Sequence, residues 1–247
     1  AIGPTPGSAN DAWEYSFLRK EMKYLKEIVE SGKPCLGVCC GGQMLSKVLG
    51  GEVVRSPRKE VGGYTVKLTE DGLDDQLFYG FPDGIPVCHW HSDMFTVPPG
   101  GKLLATGNPC PIQAYRKGNV WGVIFHLEIT SKDAKRWADA YPEEPADIGK
   151  TVEQVINECE AVERDMERLA SILIDNFLKI GSIEPTPSSK APTFCSTVLP
   201  GTMDLMASAS CSPVKGKPSI LDAAPSNTTF SVLGFPASDV SAVESMK

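Results

Sequence analysis

The segment Gly37-Val38-Cys39-Cys40-Gly41-Gly42-Gln43 sets a thiol between glycines, at the point where an apolar run gives way to a helical pattern. This is the G-x-nucleophile-x-G spacing of a nucleophile elbow, with cysteine in place of serine. The spacing has a steric cause. A nucleophile held in a tight strand-to-helix turn is lifted above the sheet, and flanking glycines remove the Cβ atoms that would collide there. The start of the following helix favours a thiolate and offers backbone N–H groups to an oxyanion. Glycines stand two residues either side of Cys39, whereas Cys40 has Val38 at that distance. Cys39 is therefore the candidate nucleophile, and Cys40 contributes the N–H that follows it. Taken alone, the pattern equally describes a buried strand ending in two inert thiols.

A thiol nucleophile needs a base, and the chain has three histidines. His126 stands in Phe125-His126-Leu127-Glu128, at the end of an apolar run. In extended backbone, residues two apart share a face, so Glu128 can bond one ring nitrogen of His126 and leave the other for Cys39. By itself this pair also reads as a surface histidine beside a solvated carboxylate. The other two histidines lie in Cys88-His89-Trp90-His91-Ser92-Asp93. Their spacing suits a chelate, but no second ligand pair stands at typical metal-site spacing. The expectation is no metal here, and a polar loop at a strand end that lines the pocket.

These residues need a scaffold, and the chain supplies an alternating one. Asn10 or Asp11 can cap a helix carrying Trp13, Phe17, Leu18, Met22, Leu25, Ile28 and Val29, stopped by Gly32. Residues 34–39 read as a short buried strand and 41–49 as a helix closed by Gly50-Gly51. Strand patterns follow at 64–68, 85–88, 103–105, 112–115 and 120–125, with Gly and Pro in the gaps. Residues 147–180 form a long amphipathic helix with Val155, Cys159, Met166, Leu169 and Leu173 on its stripe. The order implies an α/β domain with a partly parallel sheet.

Composition sets outer limits. The 247 residues carry a net charge of -7 and are 41 % hydrophobic. No apolar run reaches the ~18 residues of a membrane span, and no basic stripe offers itself to nucleic acid. Eight cysteines, two of them adjacent, with no leader pattern at the start, point to a reducing cytoplasm rather than a disulfide framework. Ser and Pro make up about a third of residues 182–247. The expectation is a domain over 1–181 and a disordered tail over 182–247.

Taken together, the motifs resemble the class I (triad) glutamine amidotransferase family. Gly37-Val38-Cys39-Cys40-Gly41-Gly42-Gln43 matches its G-[IV]-C-x-G-x-[QH], and Phe125-His126-Leu127-Glu128 its F-H-x-E. Trp90-His91-Ser92-Asp93-Met94-Phe95 with Pro98-Pro99-Gly100 resembles the W-H-G-D-x-F…P-x-G segment, and Gly3-Pro4 the end of a Gly-Gly-Pro oxyanion strand. The likeness covers about residues 1–180 and is nearest to stand-alone GMP-synthase-like and γ-glutamyl-peptidase-like members.

The resemblance implies a flavodoxin-like sandwich, a mixed sheet flanked by helices. It implies cleavage of a γ-glutamyl amide, from glutamine or a γ-glutamyl compound, through a thioester on Cys39, with no cofactor. His126 serves as base and acid and Glu128 orients it. The N–H groups of Cys40 and the Gly3 region form the oxyanion hole. Gln43, His91, Ser92 and Asp93 line the substrate pocket. A separate synthetase or acceptor subunit is the partner the family allows. Against the family pattern, the opening strands of the sheet are missing before Ala1, and one glycine precedes Pro4 where two are usual. These departures motivate the alternative of a catalytically inactive, amidotransferase-like binding protein. A metal or redox protein built on Cys39-Cys40 and His89-x-His91 is the third reading.

Overall fold

A computed structural model describes residues 8–13 and 15–181. Gly3 and the Ser/Pro-rich stretch 182–247 lie outside the described residues. The described chain begins with a 3-10 turn, Ala9–Trp13, followed by helix α1, Ser16–Glu30. The single helix expected across this stretch is broken because Tyr15 adopts extended backbone and becomes the N-cap of α1. Gly32, at φ +73°, then turns the chain into strand β1, Cys35–Val38, and helix α2, Cys40–Val48, follows at once.

Six strands form one mixed sheet in the order β1-β6-β5-β4-β2-β3. They are β1, β2 (Val53–Leu68), β3 (Gly84–Phe95), β4 (Lys102–Thr106), β5 (Ala114–Lys117) and β6 (Val120–Val123). β1 runs parallel to β6, and every other pairing is antiparallel. β2 and β3 make a long ribbon from Val53↔Phe95 to Lys67↔Gly84, with a register shift between Arg55 and Glu60. Both strands run well beyond their apolar stretches. The segment expected to be a polar loop is strand: His89 pairs with Gly62 and His91 with Glu60. Antiparallel pairing satisfies the backbone of these polar residues, so the side-chain pattern conceals the strand.

Adjacent residues of a strand point to opposite faces, and the cores follow that rule. Leu36 and Trp121 belong to one core, Cys35 and Val120 to a second, and Phe95, Tyr115 and Ile124 form a smaller third. The first core is covered by α4 (Ser131–Ala140) and α6 (Val152–Ile180), whose Val155, Met166, Leu169 and Leu173 are buried. The second holds α1 and α2 through Leu18, Leu25, Met44 and Leu45. Each such fully buried side chain contributes about 1.5–3 kcal/mol. Two short helices, α3 (Glu70–Leu73) and α5 (Glu143–Ala146), fill connections.

The long C-terminal helix begins at Val152, not at residue 147. Gly149 is at φ +74° and Thr151 caps the helix in a reciprocal box with Gln154. Among the described residues, no helix is long and apolar enough to cross a membrane.

Candidate active site

The parallel register of β1 and β6 builds the site. Val38 lies beside Val123, so both strands end at one edge of the sheet. Cys39, the next residue, donates its N–H to Val123 O at 2.8 Å. Its backbone sits at φ 50°, ψ −114°, making it the non-glycine residue with positive φ among those described. A side chain in that region costs about 1–3 kcal/mol and persists only where the surroundings enforce it. Here they do. A Cβ on Gly37 would meet Gly41 C at 2.5 Å, and one on Gly42 would meet Val123 O at 2.9 Å. The elbow closes because both positions are glycine. Tyr115 secures it from below, its hydroxyl donating to Gly42 O at 2.9 Å.

Of the two thiols, Cys40 is fully buried, and burial, followed by the charge of Cys39, holds it protonated far above its ordinary range. Its sulfur is not available for chemistry. Its backbone N–H stands in the first turn of α2, where N–H groups have no intrahelical acceptor.

His126 follows β6 and is fixed by a two-bond bridge to Cys88: Cys88 N–H donates to His126 O at 3.1 Å and His126 N–H to Cys88 O at 2.9 Å. Its Nδ1–H donates to Glu128 Oε1 at 2.5 Å. Glu128 Oε2 accepts the Leu127 N–H at 3.0 Å, which orients the carboxylate. Burial opposes charge on His126, but Glu128 and the nearby Cys39 outweigh it and hold the imidazole protonated well above its ordinary value. Burial likewise opposes charge on Glu128, and His126 with two backbone hydrogen bonds brings it below its ordinary value. With Nδ1 taken by Glu128, Nε2 is the nitrogen left to Cys39; it has no aligned hydrogen-bond partner, so the two groups are in reach but not engaged. The ring of Trp137 on α4 packs edge-on at 5.9 Å and fixes the plane of the imidazole.

Gln43 is buried in α2 with both ends of its amide in use. Oε1 accepts Ala9 N–H at 2.9 Å and Nε2 donates to Asp93 O at 3.2 Å. It ties the segment that follows Gly3, and the far end of β3, to the first turn after Cys39. His91, Ser92 and Asp93 therefore lie on β3 beside α2; Ser92 and Asp93 are half-buried, and Arg55 pairs with the Asp93 carboxylate at 3.2 Å. His91 is buried, its Nδ1 donating to Asp93 O at 3.1 Å. The placement of Gly3 lies outside the described residues.

Two contributors carry no plain mark in the sequence. Trp137 belongs to α4, whose polar sequence hides it, although Thr130-x-x-Asp133 is a legible helix start that closes here as a capping box. Glu60, on β2, is buried against His89 and His91 at 3.8 and 2.9 Å. Burial, then His91 and His126, keeps His89 neutral.

An elbow cysteine near a carboxylate-anchored imidazole, at the strand ends of an α/β sheet, is the kind of arrangement that triad-type cysteine hydrolases use. Comparison with known proteins narrows the class. The family model Glutamine amidotransferase class-I matches residues 1–138, and the chain belongs to that family. It is 35% identical over 130 residues to the glutamine amidotransferase-like protein YfeJ of Salmonella typhimurium, covering 52% of this chain and 54% of that protein. Over 139 residues it is 30% identical to one subunit of the glutamine-hydrolyzing GMP synthase of Pyrococcus furiosus, covering 55% of this chain and 67% of that one. A crystal structure of a glutamine amidotransferase from Thermotoga maritima superimposes with a TM-score of 0.65 at 30% identity, covering 72% of this chain and 77% of that chain. The chain thus spans about half the length of the first of these relatives.

Proposed function

We propose that this domain hydrolyses the γ-amide of glutamine, or of a γ-glutamyl compound, through a glutamyl thioester on Cys39. The observation that carries the reading is the strained Cys39 backbone beside a His126 whose other nitrogen is anchored by Glu128. The Cys39 thiolate attacks the amide carbon while protonated His126 stands at Nε2. The tetrahedral oxyanion rests on the Cys40 N–H, with the Gly3 segment as the second donor. His126 gives its proton to the departing nitrogen, ammonia leaves, and the thioester remains. Neutral His126 then takes a proton from water, hydroxide attacks the thioester, and the Cys39 thiolate departs from glutamate. Protons and bonds balance across the two halves.

The Ser92 and Asp93 wall suits the α-amino and carboxylate ends of the substrate, with Gln43 and His91 supporting it from behind through Asp93 O. Several relatives are single subunits of a glutamine-hydrolyzing GMP synthase. By that likeness, a separate synthetase subunit that consumes the ammonia is the partner we propose. The test is release of ammonia from glutamine, and of amine from γ-glutamyl dipeptides, by the full chain. Turnover should exceed that of Cys39→Ala by at least about 10²-fold. Release of neither product would remove the catalytic reading in favour of an amidotransferase-like binding protein without turnover.

A further inference from the structure

Behind the triad, β2 and β3 bury a polar cluster that meets the hydrolytic site only where His91 backs the pocket wall. Glu60, His89 and His91 are all buried, and one ligand-type atom from each lies within 4.8 Å of the other two. Their hydrogen bonding does not close. Both ring nitrogens of His89 lack a partner, and so does His91 Nε2, although Glu60 Oε2 is 2.9 Å away, off the line a hydrogen bond needs. His91 Nδ1 donates to Asp93 O, which leaves Nε2 facing the Glu60 carboxylate. Buried polar atoms are otherwise almost always paired, so three unpartnered ring nitrogens beside one carboxylate point to a ligand.

We propose that Glu60, His89 and His91 form a buried site for a divalent transition-metal ion of the zinc class. Two imidazoles and one carboxylate are a donor set this class favours. In a tetrahedral zinc site the donor atoms are about 3.3–3.4 Å apart, from bonds of about 2.0–2.1 Å. The Glu60 separations of 2.9 and 3.8 Å straddle that spacing. The Asp93 carbonyl already fixes the His91 tautomer from outside, as carbonyls behind metal-bound histidines do. Gln113 Nε2, 3.4 Å from Glu60 Oε2, supports the carboxylate in the same way. Tyr64 packs edge-on to His89 at 5.2 Å and also lines a surface cleft with Arg58 and Pro109. All three ligands are buried, and the ion would clamp β2 to β3 next to their register shift. The i, i+2 histidines are visible in the sequence; their third ligand comes from the neighbouring strand.

The test loads the full chain with Zn²⁺, removes loosely held ion by desalting and measures bound metal, a readout independent of any glutaminase activity. The expected result is about one equivalent for the wild type and for Cys39→Ser. Glu60→Gln and His89→Gln should each retain at least about tenfold less. A wild-type chain without stoichiometric zinc, or His89→Gln with a full equivalent, overturns the proposal. If the variants do not fold, the Co²⁺ adduct of the wild type decides. Ligand-field absorption of a four-coordinate nitrogen and oxygen site supports the assignment. Thiolate charge-transfer absorption, or no adduct, overturns it.

Discussion

In the proposed mechanism Glu128 reaches the chemistry only through His126, yet it sets when that imidazole gives up its proton. Its charge helps hold His126 protonated well above the ordinary value, so the acid that protonates the leaving nitrogen persists into alkaline solution. In Glu128→Gln the alkaline limb of kcat/KM should move to lower pH, and kcat should fall on the order of 10²- to 10⁴-fold. An unmoved limb would remove Glu128 from this role. Stability follows the same signs. The raised His126 contributes below its unfolded value and loses that contribution as pH rises through its folded one. The lowered Glu128 contributes above its unfolded value and loses it as pH falls through its folded one. Wild type and variant should therefore differ most between those limits in urea unfolding and converge outside them. At this scale Cys39, His126 and Glu128 are legible in the sequence because elbow spacing and strand period are local properties. Glu60 is not, because its partners come from another strand and no local pattern announces it.

The elbow is a property of two elements meeting at the end of the sheet, and glycine sets how closely they meet. A methyl on Gly37 would lie 2.5 Å from Gly41 backbone atoms that cannot swing aside. Gly37→Ala should cost at least about 3 kcal/mol in urea unfolding, the upper end of overpacking penalties, and should abolish turnover. Gly84→Ala is the control: its methyl finds nothing nearer than Thr65 Cγ2 at 3.4 Å, and the change should stay under about 1 kcal/mol. Equal effects at the two positions would refute the steric origin of the elbow. The apolar cores of β1, β6 and α6 are readable from periodicity. The extension of β2 and β3 is not, since Arg55, Pro57 and Arg58 are exposed and polar or turn-forming and the register shifts there. Helix α4 is hidden for a related reason: it buries Ala134, Trp137 and Ala138 beneath a mostly charged surface.

For the molecule as a whole, the two larger cores are built from described residues, and Ile180 at the end of α6 packs on the first of them. We therefore propose that residues 1–181 carry the fold and the activity. A chain ending at Gly181 should unfold at the same urea midpoint as the full chain and release ammonia from glutamine at the same rate within about twofold. A lower midpoint or lost turnover would give 182–247 a part in the domain. Fold class is legible at this scale from the order of strand and helix patterns. The sheet order is not, because pairings such as β6 between β1 and β5 join distant stretches of chain.

The most direct test of a Cys39 thioester is a mass spectrum of the chain quenched during turnover with glutamine and digested. The expected result is a glutamyl adduct on the peptide containing Cys39, absent from Cys39→Ala. Turnover with no such adduct, or an adduct carried by another residue, would contradict it.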